Sequence, residues 1–179
     1  MIKIIFFDGD GTLWYPKATK HTQKPHLIYK TLTASGDHNE HLILTPSVKS
    51  TLRILRKMGI ITVVISTHPH PVKIANALLK NKIDHFELEH LLDEARTSRN
   101  VIHGKGDVIT RILKRRGLPK SSALMVGDSY RWDYLAAKKV GVKSLIMDTS
   151  YLKEYAKMYP GAGRIKNKIK TIREVLDYV

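Results

Sequence analysis

From Ile2 to Phe7 the chain is apolar at every position but Lys3. A short unbroken apolar run meeting polar residues at its end is the pattern of a strand buried on both faces. Ile60–Ile65 repeats it, and Ala123–Val126 and Ser144–Met147 are shorter examples. The segments between them carry a different period. Leu52, Leu55 and Met58 recur at helical spacing behind Thr45-Pro46, which offers an N-cap hydroxyl and a first-turn proline. Gly59 suits the position just past that helix. Val72–Leu79, Asp107–Arg116 and Trp132–Val140 also read as helices, the second ended by Gly117 and Pro119. Thr171 caps a last helix over Ile172–Tyr178. Phe86–Leu92 fits a short strand or a helix equally. Residues 14–44 carry neither period and are rich in His and Thr, with Pro16 and Pro25. They read as an insertion with one short helix near His26–Leu32.

Strands alternating with helices predict an α/β fold, a central parallel sheet covered on both faces. The expected organisation is a single domain over residues 1–179, with 14–44 as a small inserted loop or cap. In such sheets ligands lie beyond the carboxyl ends of the strands, near the topological switch point. Three polar sets follow predicted strands directly: Asp8 and Asp10, Ser66 and Thr67, and Gly127-Asp128.

Composition narrows this little. A chain of 179 residues without cysteine needs no disulfide to hold a core and offers no thiolate to zinc. No uncharged stretch approaches the ~20 apolar residues of a membrane-spanning helix. The expectation is a soluble cytoplasmic protein, monomeric or homodimeric, with no membrane partner. The 31 Lys and Arg against 16 Asp and Glu leave a formal charge of +15. These cations are spread along the chain and no nucleic-acid motif accompanies them, so a solvated basic surface is the preferred reading. His68-Pro69-His70 lacks a further ligand, and a loop beside the site explains it better than a structural zinc site.

The polar sets suit one chemistry. Asp8 and Asp10 stand in a turn punctuated by Gly9 and Gly11, where the backbone can approach a ligand. Bringing these carboxylates near Asp128 is unfavourable unless a cation lies among them, and hard oxygen ligands suit Mg²⁺. An ionised aspartate can act as nucleophile, and a second one beside negative charge can hold a proton to donate. Ser66 and Thr67 offer hydroxyl and N–H donors for phosphoryl oxygens. Lys105, between Gly104 and Gly106, offers a cation. Trp14, Tyr15, Tyr130 and Trp132 follow the acidic segments and suit either a pocket wall or core packing.

Asp8-Gly9-Asp10-Gly11-Thr12-Leu13, Val63-Val64-Ile65-Ser66, Lys105, and Val126-Gly127-Asp128-Ser129 with Asp133 occur in that order. In this the chain resembles the haloacid dehalogenase superfamily of phosphohydrolases over about residues 1–150. The resemblance implies a Rossmann-like three-layer sandwich and a minimally capped member, distantly like small magnesium-dependent phosphatases. It implies that Asp8 forms a phosphoaspartate and that Asp10 serves as acid and then base. It implies Mg²⁺ held by Asp8, Asp10 and Asp128 with Asp133 in support, and a phosphoryl group held by Ser66 and Lys105. Halide removal, the family's namesake reaction, needs neither a leaving-group acid nor magnesium, so Asp10 and the later acidic pair favour phosphate-ester hydrolysis. The expected substrate is a small phosphorylated metabolite, with a nucleic-acid end or a phosphoprotein as alternatives.

Overall fold

A computed structural model of the chain describes residues 1–16, 42–67, 92–99 and 101–179. The expected helices near 26–32 and 72–79, most of the ambiguous segment 86–92, and His68-Pro69-His70 lie outside those residues. Strand β1 spans Ile4–Phe7, β2 Trp14–Pro16 and β3 Leu42–Leu44. Helix α1 spans Val48–Lys57, β4 Ile61–Ser66, β5 Glu94–Thr97 and α2 Gly104–Arg116. After β6 (Ala123–Gly127), a π-helical segment, Tyr130–Leu135, leads into α3 (Ala136–Lys139). Then come β7 (Lys143–Met147), α4 (Ser150–Met158), α5 (Pro160–Gly163) and β8 (Lys168–Ile169). A 3₁₀ helix over Ile172–Tyr178 closes the chain.

Six strands form one sheet in the order β5-β4-β1-β6-β7-β8, and every pairing in it is parallel. Alternation along the strands divides the core. Ile5, Phe7, Val64, Leu124 and Val126 pack with Leu52 and Leu55 of α1 and with Ile172 and Val175. Ile4, Phe6, Val63, Ile65 and Met125 pack on the other face with Ile109 and Ile112 of α2 and Ala137 of α3. All four residues of β1 are fully buried, which explains its unbroken apolar sequence. The sheet is therefore the middle layer of three, as the alternation of strands and helices predicts. Among the described residues no helix is long and apolar enough to cross a membrane.

The element boundaries differ from expectation for local reasons. Helix α1 starts at Val48 rather than behind Thr45, because Ser47 takes a left-handed conformation (φ 68) and makes no side-chain cap. The Thr45 N–H instead donates to the Leu13 carbonyl at 3.0 Å, tying this entry to the loop after β1. Gly59 is left-handed (φ 71) past the helix end, as expected, but Met58 is half exposed and outside the core. Helix α2 begins at Gly104, which brings Lys105 into its first turn. A Cβ at Gly104 would lie 2.1 Å from the Arg99 carbonyl oxygen, so only glycine permits that start. The last helix is 3₁₀ rather than α, with Thr171 and Glu174 forming a capping box.

Several elements were not legible. β5 reads Glu-Ala-Arg-Thr because only Ala95 packs against the apolar core, while Glu94 and Arg96 face the flank of α2. β8 is two residues long and gives no period. β2 and β3 pair antiparallel, Trp14 opposite Leu44, and so join the two ends of the segment expected as an insertion.

From β1 the chain builds outward to β4 and β5, then crosses back to β6 on the other side of β1. The switch point is therefore the gap between the carboxyl ends of β1 and β6. Asp8 follows the first and Asp128 follows the second.

Candidate active site

The loop after β1 is held by its own backbone. The Asp8 N–H donates to the Val126 carbonyl at 2.8 Å, which fixes Asp8 at the last rung between β1 and β6. The Gly9 carbonyl then accepts from the N–H groups of Thr12, Leu13 and Trp14, at 3.2, 2.8 and 3.1 Å. Gly11 takes φ +84, and a Cβ there would stand 2.1 Å from Asp128 Oδ2. Glycine at this position is thus required twice, by its dihedral and by the carboxylate against it. No larger residue fits this backbone. A Cβ at Gly9 would lie 2.4 Å from the Trp14 ring.

Trp14 resolves the choice between wall and core. Its side chain is fully buried among the core residues, and its Nε1–H donates to Asp10 Oδ1 at 2.6 Å. Burial anchors the indole, and its N–H holds one oxygen of the Asp10 carboxylate.

Asp8, Asp128 and Asp133 converge. Each offers a carboxylate oxygen, and these oxygens lie within 4.8 Å of one another, all three residues being buried. Asp133 arrives through the π-helical segment. The N–H groups of Asp133 and Tyr134 both donate to the Ser129 carbonyl at 3.1 Å, and the Trp132 N–H donates to Ser129 Oγ at 3.2 Å. That wide turn directs Asp133 inward, where Oδ2 accepts from the Ser129 N–H at 2.9 Å. Gly127 makes room, since a Cβ there would lie 2.2 Å from the Asp133 carboxyl carbon.

Lys105 is no surface lysine. It is 1% exposed, and its Nζ donates to Asp133 Oδ1 at 2.7 Å and to Asp8 Oδ1. One ammonium thus bridges the first and last acidic segments. Three ionised carboxylates against that single cation leave a formal charge of −2 in a buried space, which is strongly unfavourable in a low dielectric. Burial pushes the Asp8 carboxyl up to about 7, against the lowering pull of Lys105 and with a further push from Asp133 and Asp10. Burial also raises Asp128 well above the usual carboxylate range, reinforced by Asp8 and Asp133. Burial alone would lower Lys105, but Asp133 and Asp8 together hold it above its ordinary value. Clustered, buried hard oxygens with excess negative charge have the composition of a divalent-cation site.

Ser66 ends β4 beside β1 and is 2% exposed. Its carbonyl accepts from the Ser98 N–H at 2.8 Å, and its hydroxyl makes no hydrogen bond among the described residues. Thr67 follows on the same edge and is partly exposed, and no described contact joins it to the carboxylates. Tyr130 stacks on Tyr134, with ring centroids 5.7 Å apart, and Trp132 lies under the Arg131 guanidinium at 5.2 Å. Tyr151, in the first turn of α4, was not legible as a neighbour of this site. Burial raises its phenol, and the Asp128 charge adds to the shift.

A profile of the family described as haloacid dehalogenase-like hydrolase matches residues 7–147. A phosphoglycolate phosphatase from Pseudomonas fluorescens is 32% identical over 138 residues, which are 70% of this chain and 44% of that protein. The chain spans less than half the length of the curated relatives it matches. A solved structure of a predicted phosphoglycolate phosphatase from Haemophilus somnus superposes with a TM-score of 0.71 at 17% identity, covering 99% of this chain and 97% of that one. A hydrolase of the same superfamily from Geobacter sulfurreducens gives 0.70 at 14% identity, covering 100% of each chain. At those identities the likeness is one of fold.

Proposed function

The chain belongs to the haloacid dehalogenase-like hydrolases, and from that premise we propose that it is a magnesium-dependent phosphatase acting on a small phosphate monoester through an aspartyl phosphate on Asp8. The observation that carries this reading is the convergence of Asp8, Asp128 and Asp133 at the switch point of the sheet, with Lys105 paired to Asp8 and Asp133.

An Asp8 carboxylate oxygen attacks phosphorus while the bond from phosphorus to the ester oxygen breaks. Asp10 gives its proton to the departing oxygen. A water then attacks the acyl phosphate, Asp10 takes the water's proton, and phosphate leaves as Asp8 is restored. The Ser66 hydroxyl, Lys105 and the donors of Thr67 hold the phosphoryl oxygens. Carboxylates of Asp8 and Asp128 and the backbone carbonyl of Asp10 would hold Mg²⁺, with Asp133 in support. When bound, the ion neutralises charge on the phosphoryl oxygens and makes it favourable for Asp8 to be ionised. The name borne by the curated relatives supports a small phosphorylated acid, of the phosphoglycolate kind, as the substrate.

The test is hydrolysis of p-nitrophenyl phosphate and a panel of phosphorylated acids, sugars, peptides and oligonucleotide ends, with Mg²⁺ or with EDTA. Turnover that needs Mg²⁺ and is fastest on a small acid is expected. Undiminished turnover in EDTA overturns the metal, and preference for a peptide or an oligonucleotide end overturns the substrate class. The proton linkage supplies a readout apart from activity. The Asp8 pKa is raised in the fold, so between about pH 4 and 7 the metal-free protein holds a proton that the unfolded chain has lost. That contribution to stability is present at low pH and is lost as pH rises through 7. Mg²⁺ displaces the same proton, so its effect on the melting temperature grows from pH 5.5 to pH 7.5, as scanning calorimetry measures.

Trp14→Phe keeps a ring in the core but removes the donor to Asp10. A hydrogen bond to a charged group contributes about 1.5–3 kcal/mol. The variant is expected to lose roughly 10- to 100-fold in kcat with little change in KM. An unchanged kcat would show that Asp10 is oriented without the indole.

A further inference from the structure

Half of the chain's arginines stand on or beside two neighbouring elements. Of the ten, Arg96 lies on β5, Arg99 follows it, and Arg111, Arg115 and Arg116 lie on α2. Helix α2 leaves the carboxyl edge at Lys105 and returns to the start of β5, where Arg115 meets Glu94. β5 and α2 therefore run antiparallel, and their facing flanks enclose a cleft of about 280 Å³ lined by Arg96, Val108, Arg111, Ile112 and Arg115.

Glu94 organises the cleft. Its carboxylate, 6% exposed, accepts from Arg115 at 2.7 and 2.5 Å and from Arg116 at 3.1 Å, and pairs with Arg96 at 2.7 Å. Arg111 makes no ion pair or hydrogen bond among the described residues. Among the described residues, Arg96, Arg111 and Arg115 of the cleft wall, with Arg116 beside them on Glu94, set four guanidinium groups against that one carboxylate, a charge of +3 (4 − 1). The Arg96 and Arg115 side chains keep about half their surface in solvent, at 47% and 54%. Their forks are thus fixed on one side and open on the other.

Arginine rather than lysine is the residue of planar, bidentate phosphate recognition. A domain of pI about 10 with arginines aligned along a helix carries the electrostatic footprint of a nucleic-acid binder. The arginines of α2 run from Arg111 to Arg116, about 7.5 Å at ~1.5 Å per residue, and Arg96 carries the charge onto β5. Positive charge drawn out in a line suits successive phosphates rather than a single one. A cleft of this volume is too narrow for a duplex. We propose that the cleft between β5 and α2 binds the phosphodiester backbone of a single-stranded nucleic acid, with Val108 and Ile112 as its apolar floor. This binding is independent of the chemistry at Asp8.

The test is fluorescence anisotropy of a labelled single strand of about 12 nucleotides, within the range a single-strand site spans. The full chain is titrated at salt concentrations between about 50 and 200 mM. Arg96→Ala/Arg111→Ala is compared with Lys153→Ala/Lys157→Ala, which removes equal charge from the exposed face of α4. Arg115 and Arg116 still pair with Glu94 in the first variant, and its melting temperature reports that the fold is kept. The cleft variant is expected to bind at least tenfold more weakly and to lose about 1.4 from the slope of log K against log salt, at ~0.7 per phosphate contact. The lysine variant stays within about threefold of the parent. Equal losses in both variants overturn the proposal, as does failure of the parent to bind at the lowest salt. Tighter binding of a duplex, or full displacement of the strand by millimolar pyrophosphate, overturns the single-strand assignment.

Discussion

Replacing Asp8 by Asn is expected to leave a folded protein that no longer turns over phosphate esters. The amide has no anionic oxygen to attack phosphorus, and loss of a nucleophile costs about 10³-fold or more in kcat. Asn followed by Gly9 can deamidate back to aspartate, so Asp8→Ala is measured beside it. The physical consequence for stability runs the other way. In the metal-free protein Asp8 is one of three clustered carboxylates, and its pKa pushed up to about 7 expresses how poorly the fold tolerates its charge. Removing that charge raises the metal-free melting temperature at pH 7.5 and reduces the rise that Mg²⁺ produces. Both variants retaining turnover within tenfold of the parent would remove Asp8 from the nucleophile's role. Loss of turnover with the full Mg²⁺ effect intact would separate the nucleophile from the metal site.

Lys105→Met carries the second large effect. The methionine keeps much of the buried stem but takes away the only cation described among Asp8, Asp128 and Asp133. Breaking a buried ion pair by deleting one partner costs about 3–5 kcal/mol, because the remaining charge is left uncompensated. At roughly 2–4 °C per kcal/mol for a chain of this size, the melting temperature falls by about 6–20 °C. Mg²⁺ recovers part of that loss, since it supplies positive charge to the same carboxylates. Lys105→Met/Asp133→Asn is expected to be more stable than the sum of the single changes, because the second change removes a charge that the first left unpaired. A single variant as stable as the parent would mean that the carboxylates are already protonated in the fold.

How much of this was legible varies with the range of the interaction responsible. β1 could be read because a strand buried on both faces must be apolar throughout, and Ile4–Phe7 is fully buried. β5 could not, because an edge strand with one residue turned to the core has no such obligation. The turn after Asp8 was legible in outline from Gly9 and Gly11. That the Gly11 Cα sits against the Asp128 carboxylate, 117 positions further along (128 − 11), was not. Lys105 is legible as a cation between two glycines, but its pairing with Asp8 and Asp133 follows only from the start of α2 at Gly104.

The class of the fold, the order of its buried strands and the positions after which acidic and hydroxyl groups stand are all written in the order of residues. Those properties follow from local rules, the period of apolar residues and the conformations that glycine allows. Which groups meet is a property of the folded chain: Trp14 with Asp10, Lys105 with Asp8 and Asp133, and the arginines gathered around Glu94. A charge count is the same wherever the charges lie. Desolvation and Coulomb energy depend on separation and burial, and those exist only once the chain has folded.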